Sequence, residues 1–190
     1  MADVVPRSEL QKMTSGKKVR KWVVLLIVLV GLTVIGFAQE QMNSSTYIPE
    51  FADEPVLFNA DNSVTTLEKQ VAKVRTKPGL LSSKVFYDVT GGNSPVVLKK
   101  ADENNFIVKL SNPEQAPDTQ YTIRQWIADK NVRSLVLGSS TLGGTKAGST
   151  GISFTYKKTG DAIYQLTVKG LTVGHWGIST KTATFLFDIQ

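Results

Sequence analysis

Ile152, Phe154 and Tyr156 alternate with Ser153, Thr155 and Lys157, and Tyr164, Leu166 and Val168 repeat the alternation. A period of two puts successive side chains on opposite faces of a strand. Lys158-Thr159-Gly160-Asp161 supplies the turn between the two runs. Three more short runs, KVFYDVT, PVVLKK and NFIVKLS, are divided by Gly91-Gly92-Asn93 and by Ala101-Asp102-Glu103-Asn104-Asn105. Gly, Asn and Asp supply the left-handed and Asx conformations that turns need. RSLVLGSS adds another run, and HWGIST and TATFLFDIQ read as a hairpin through Lys181-Thr182. Strands at spacings of about ten residues predict an antiparallel sandwich or barrel, and we expect a sandwich of roughly seven to nine strands.

Two segments read differently. Val64, Leu67, Val71 and Val74 fall on one face of a helix, Thr65 and Glu68 stand at capping-box spacing, and Pro78-Gly79 ends the run. This predicts one short helix, with an irregular strand as the alternative because β-branched residues are frequent. YTIRQWIADKNV, 121–132, suits a helical turn through Ile123, Trp126 and Ile127 and a strand through Tyr121, Ile123 and Gln125. SNPEQAPDTQ, 111–120, is a Pro-rich connection. Residues 39–63 have weak periodicity and two prolines, and read as a stalk with a first strand at Val56–Phe58.

The segment GDAIYQLTVKGLTVGHWGIST, 160–180, carries Gly-x-x-x-Tyr-x-Leu-x-Val, a Gly turn and Gly-x-Trp-x-Ile. It resembles a closing hairpin of immunoglobulin-like or fibronectin type III-like modules. That resemblance implies two antiparallel sheets around one core. With no cysteine, the Cys…Trp…Cys framework of a true immunoglobulin domain is absent.

Trp22 to Ala38 is an uncharged apolar block of 17 residues behind Lys17, Lys18, Arg20 and Lys21. As a helix it spans roughly 26 Å, slightly short of a ~30 Å hydrocarbon core. Snorkelling basic residues and local thinning absorb such a mismatch. Trp22, Leu25, Leu29, Leu32 and Phe37 are its expected anchor residues. Glu40, Glu50, Asp53 and Glu54 follow the block. The positive-inside rule then leaves the N-terminus in the cytoplasm and carries the C-terminal bulk into the periplasm or extracellular space. The competing reading is a cleaved signal peptide, with Gly36 and Ala38 at −3 and −1. A 21-residue preface is long for a signal n-region and favours a retained signal-anchor. The predicted organisation is a basic tail over 1–21, a single transmembrane helix over 22–38, a stalk over 39–63 and a mostly β sandwich, immunoglobulin-like or similar, over 64–190.

The basic balance of the chain, +6, comes mostly from the tail: residues 1–21 hold six basic against two acidic groups. In the rest Lys and Asp/Glu are interspersed, which argues against a nucleic-acid surface. The absence of cysteine excludes disulfides, thiolate metal sites and thiol nucleophiles. His175 is the only histidine, so a multi-histidine metal site is not available and a Ser-His-Asp triad would have to use it, while a Ser-Lys pair needs only two residues brought together and no spacing singles one out. In GHWG His175 reads as a turn residue beside a packed Trp176. No G-x-S-x-G elbow is present.

GSSTLGGTKAGSTG, 138–151, has five Gly, three Ser and three Thr. Gly138 and Gly143 have P-loop separation, but Gly144 stands where the lysine belongs. The segment reads as a hairpin loop, or as a loop that orders when a partner docks, with Gly143, Gly144, Lys146 and Gly148 as contact residues. No cofactor or metal is expected. The sequence predicts a non-catalytic accessory or structural subunit whose partners are the lipid bilayer and proteins of a membrane complex. The alternative is an exported module that binds a glycan or a hydrophobic molecule through Trp126 and Trp176.

Overall fold

The computed structural model describes residues 47–190. The expected anchor, with Trp22, Leu25, Leu29, Leu32 and Phe37, lies outside the described residues. Among those described, no helix is long and apolar enough to cross a membrane.

The described chain is mostly β. Its strands are β1 (Val56–Phe58), β2 (Val64–Thr66), β3 (Glu68–Gln70), β4 (Lys73–Pro78), β5 (Ser82–Thr90), β6 (Val97–Leu98) and β7 (Glu103–Lys109). One short helix, α1 (Pro117–Gln120), precedes β8 (Thr122–Asp129). Then follow β9 (Val132–Thr141), β10 (Gly144–Ala147), β11 (Phe154–Gly160), β12 (Ile163–Lys169), β13 (Gly174–Ser179) and β14 (Thr184–Ile189). Five strands form one sheet in the order β11-β12-β7-β1-β2. The other sheet runs β3-β14-β13-β8-β9-β5-β4, with β10 added beside β9 and β6 beside β14. All pairings are antiparallel except β6 with β14, which gives a sandwich-like fold.

Alternation builds the core between the sheets. Leu57, Phe106, Val108, Leu166 and Val168 come from the five-stranded sheet, and Ile123, Trp176, Ile178, Phe185, Phe187 and Ile189 from the nine-stranded one. Phe106 and Phe187 meet with ring centroids 5.4 Å apart. A second cluster of Val89, Trp126, Leu135 and Leu186 lies on the other face of the nine-stranded sheet. Leu186 and Phe187 are chain neighbours in β14, so that strand is buried on both faces. The sheet curls around this second cluster. Its terminal strands β3 and β4 are consecutive in the chain, joined only by Val71 and Ala72.

Several sequence expectations meet their test here. The hairpins of β11 with β12 and of β13 with β14 form as the alternation predicts. The strand at Val56–Phe58 is present and lies between β2 and β7, inside the sheet. The helix expected over residues 64–78 does not form; β2, β3 and β4 occupy that stretch. Its apolar residues do not share a buried face: Leu67 is 4% exposed, while Val71 and Val74 are 71% and 66% exposed. Pairing of β3 with β14 and of β4 with β5 wins over the helical spacing, as β-branched residues favour. The short helix instead sits in the Pro-rich connection, where Pro117 takes the first helical position. Residues 121–132 resolve to strand, with Ile123 facing the first cluster and Trp126 the second. The segment 160–180 is not one hairpin. β12 pairs within the five-stranded sheet and β13 within the other, so Gly170 at φ 77° and buried Leu171 carry the chain from sheet to sheet.

Phe187→Ala removes a fully buried ring from the contact of the two sheets. It should lower the unfolding free energy by about 3–5 kcal/mol in denaturant titrations. Val74→Ala, at an open position, should change it by no more than about 0.5 kcal/mol.

Candidate functional site

Two polar arrangements hold the curled sheet. Arg133 of β9 is fully buried, and its guanidinium reaches across to β3, where Nη2 donates to Glu68 Oε1 at 2.8 Å. Nε donates to the Gly91 carbonyl at 2.9 Å and Nη2 to the Thr90 carbonyl at 3.2 Å. Gln70 bridges the same gap: its amide nitrogen donates to the Thr90 carbonyl, and its carbonyl accepts from the Thr90 amide. For Glu68, burial alone would raise the carboxyl; hydrogen bonds from Arg133, Ser94 and Gln70 carry it below its ordinary range instead.

The second arrangement joins β13, β14 and the connection before β6. His175 Nδ1 stands 2.8 Å from Asp188 Oδ1, and Asp188 Oδ2 accepts from the Ser94 amide at 3.0 Å. The Ser94 hydroxyl donates to the Leu186 carbonyl at 3.3 Å. His175 is thus a strand residue paired across to Asp188, not a turn residue. Ser94 is committed to backbone and carboxylate, so these three groups work as a clamp. Trp126 and Trp176 are 2% and 4% exposed, and their rings pack inside rather than line a surface.

The residues expected from the sequence to meet a partner lie elsewhere, on an arm made by β4, β5, the C-terminal half of β9 and β10. GSSTLGGTKAGSTG is no open loop: it supplies the end of β9, a turn at Leu142-Gly143 and β10. Gly144 through Ala147 pair with Thr141 through Gly138. Pairing continues beyond β10, since the amides of Gly148 and Ser149 donate to the carbonyls of Leu137 and Val136. Gly143, Gly144 and Lys146 are exposed. Gly144 has φ 128°, a backbone state that favours glycine. Gly148 differs from the other three. A Cβ there would lie 2.0 Å from the Val136 carbonyl oxygen, so its glycine serves close approach of β10 to β9.

A row of side chains crosses the arm. Lys77 lies opposite Lys84, Lys84 opposite Ser139, and Ser139 opposite Lys146. Directly opposed residues share a face of the sheet. Lys73 and Arg75 precede Lys77 on that face. Arg75 pairs with the Asp88 carboxylate and lies 4.3 Å over the Phe86 ring. Hydrogen bonds from Arg75 and Ser134 hold the Asp88 carboxyl below its ordinary range despite partial burial. Among the described residues, Lys77, Lys84 and Lys146 make no ion pair.

No family model, curated protein or solved structure matches this chain.

The Gly-rich run drew attention by composition, and the structure places it on the arm. The lysine row escaped sequence reading because it depends on the register of four strands. Arg133 carried a usable signal: it alternates in phase with buried Leu135, which marks it as inward.

Removing Arg133 leaves the half-buried Glu68 carboxylate without its cation. Arg133→Met should cost about 3–5 kcal/mol in denaturant melts, and Arg133→Met/Glu68→Leu should recover part of it. Because the Glu68 carboxyl is lowered in the folded state, its stabilisation is present above its ordinary pKa of 4.5 and is lost as pH falls through the depressed value. Thermal midpoints measured from pH 7 to pH 3 should therefore fall more steeply for the parent chain than for the double variant.

Proposed function

We propose that the chain is a membrane-anchored, non-catalytic accessory subunit whose β domain docks on partner proteins of a membrane complex. Residues 22–38 serve as the retained signal-anchor, the N-terminus is cytoplasmic, and the sandwich, of immunoglobulin-like or similar kind, stands in the periplasm or extracellular space. Tethering replaces a partner's translational search with a high effective concentration, so a small interface suffices.

The observation that supports docking is the contrast among sheet edges. Natural sheets blunt exposed edges with charges, proline, bulges and short strands. β4 carries Lys73, Arg75, Lys77 and Pro78. β11 carries Lys157 and Lys158 and a register shift between Lys158 and Gly160. β2 is three residues long. β10 has one lysine among Gly, Thr and Ala, and its pairing with β9 runs on to Ser149. The Gly148 amide points inward to Leu137. Alternation in an antiparallel pair then turns the amides of Thr145 and Ala147 outward, where an added strand would accept them. Gly143, Gly144 and Lys146 lie along that edge.

Purification in mild detergent from native membranes should recover the chain in a stoichiometric membrane complex. Thr145→Pro/Ala147→Pro removes two outward donors and leaves inward pairing intact, so it should reduce partner recovery at least about tenfold. A monodisperse monomer in the parent preparation would refute the docking role. The anchor has its own readout: mass spectrometry of membrane-fraction chains should find the tail attached, and a mature N-terminus at Gln39 would refute retention.

A further inference from the structure

The far end of the arm carries two features that edge docking leaves unused. The first is apolar. Leu80 is 99% exposed, Leu81 63% and Leu142 85%. Ser82 lies opposite Thr141, which sets the turn holding Leu80 and Leu81 beside the turn holding Leu142. Three leucines are therefore presented together at adjoining hairpin tips. The second is ionic. Lys77, Lys84 and Lys146 occupy one cross-strand row just behind those tips. No acidic residue occurs between Lys73 and Ser83, between Lys84 and Tyr87, or between Ser134 and Gly160. Like charges facing each other across a ladder are destabilising, so the row gains from any anionic surface laid against it.

The remaining residues of this end are small or neutral. Gly79, Ser82, Ser83, Ser139, Ser140, Thr141 and Gly143 bring no carboxylate that approach to a negative surface would have to desolvate. Nucleic acid would satisfy the lysines and leave the leucines in water. An apolar protein groove would satisfy the leucines and leave the lysines opposed. A layer of anionic headgroups over hydrocarbon satisfies both at the spacing the hairpins provide, since apolar residues bury into the acyl boundary while basic residues stay among the headgroups. We infer that the paired β4–β5 and β9–β10 tips seat on an anionic lipid surface, with Leu80, Leu81 and Leu142 in the acyl boundary and Lys77, Lys84 and Lys146 among the headgroups. This contact is separate from the outward edge of β10 and from the anchor.

The lack of cysteine makes single-site labelling direct. The full chain carrying Leu142→Cys with an environment-sensitive fluorophore would be placed in nanodiscs of phosphatidylcholine, with or without phosphatidylserine. With phosphatidylserine the label should shift to the blue and be quenched by acyl-chain nitroxide lipid. A label at Asp161→Cys, in the turn between β11 and β12, should stay aqueous. Each lysine near an anionic surface is worth about fivefold in binding. Lys77→Gln/Lys84→Gln/Lys146→Gln should therefore weaken the shift strongly, and the corresponding triple Glu variant should abolish it. A Leu142 label that stays aqueous in both discs would overturn the inference. So would a shift indifferent to charge reversal, or one seen only after native membrane proteins are added. If the chain is not retained in the discs, the anchor reading fails on its own; flotation of the labelled chain with vesicles of the same composition then decides the tip contact.

Discussion

The buried Arg133 side chain fixes the shape of the larger sheet. Where the sheet closes, the end of β5 presents the Thr90 and Gly91 carbonyls, and one guanidinium serves both while pairing with Glu68 of the terminal strand β3. A planar fork with fixed donor directions suits this better than an ammonium would. Closure lets Leu186 and Trp126 be buried on the face that points away from the other sheet. Without it, that face of β13 and β14 would lie open to water. The His175–Asp188–Ser94 clamp holds the opposite margin of the same strands. Both arrangements tie strands together, whereas the arm presents the exposed lysines Lys77, Lys84 and Lys146, which make no ion pair among the described residues.

Local alternation was a good guide wherever a strand has one buried and one open face. β12 follows that rule, with Leu166 and Val168 buried between more open neighbours, and the turn before it contains the Gly and Asp residues that turn chemistry requires. Helical spacing misled at residues 64–78, where β3 supplies the half-buried Glu68 to the ion pair with Arg133 and β4 is exposed throughout. Such strands have no apolar stripe for periodicity to find, and chance spacing of valines mimicked a helix. The division of strands between sheets was also illegible, because β12 and β13 are near neighbours in sequence yet bond to different partners.

The candidate contact surface shows the same limit. Gly143, Gly144 and Lys146 stood out by composition, and all are exposed on β10 or its turn. Their relation to Lys77 and Lys84 is a matter of register between segments some 60 residues apart, mediated by Ser139. A single sequence shows each lysine as an ordinary solvated charge. Only assembled strands reveal that three of them share a line and a face.

The position of β14 has a consequence for how the domain comes into being. Its partners β3, β6 and β13 all precede it in the chain, and it fills the middle of the core. Until residues 184–189 leave the ribosome, the larger sheet lacks the strand that joins β3 to β13. Most stabilising contacts are therefore long-range, which makes folding slow and late rather than progressive. The five-stranded sheet has all its strands before that point, but Leu57, Phe106, Val108, Leu166 and Val168 gain Phe185, Phe187 and Ile189 as packing partners only when β14 arrives.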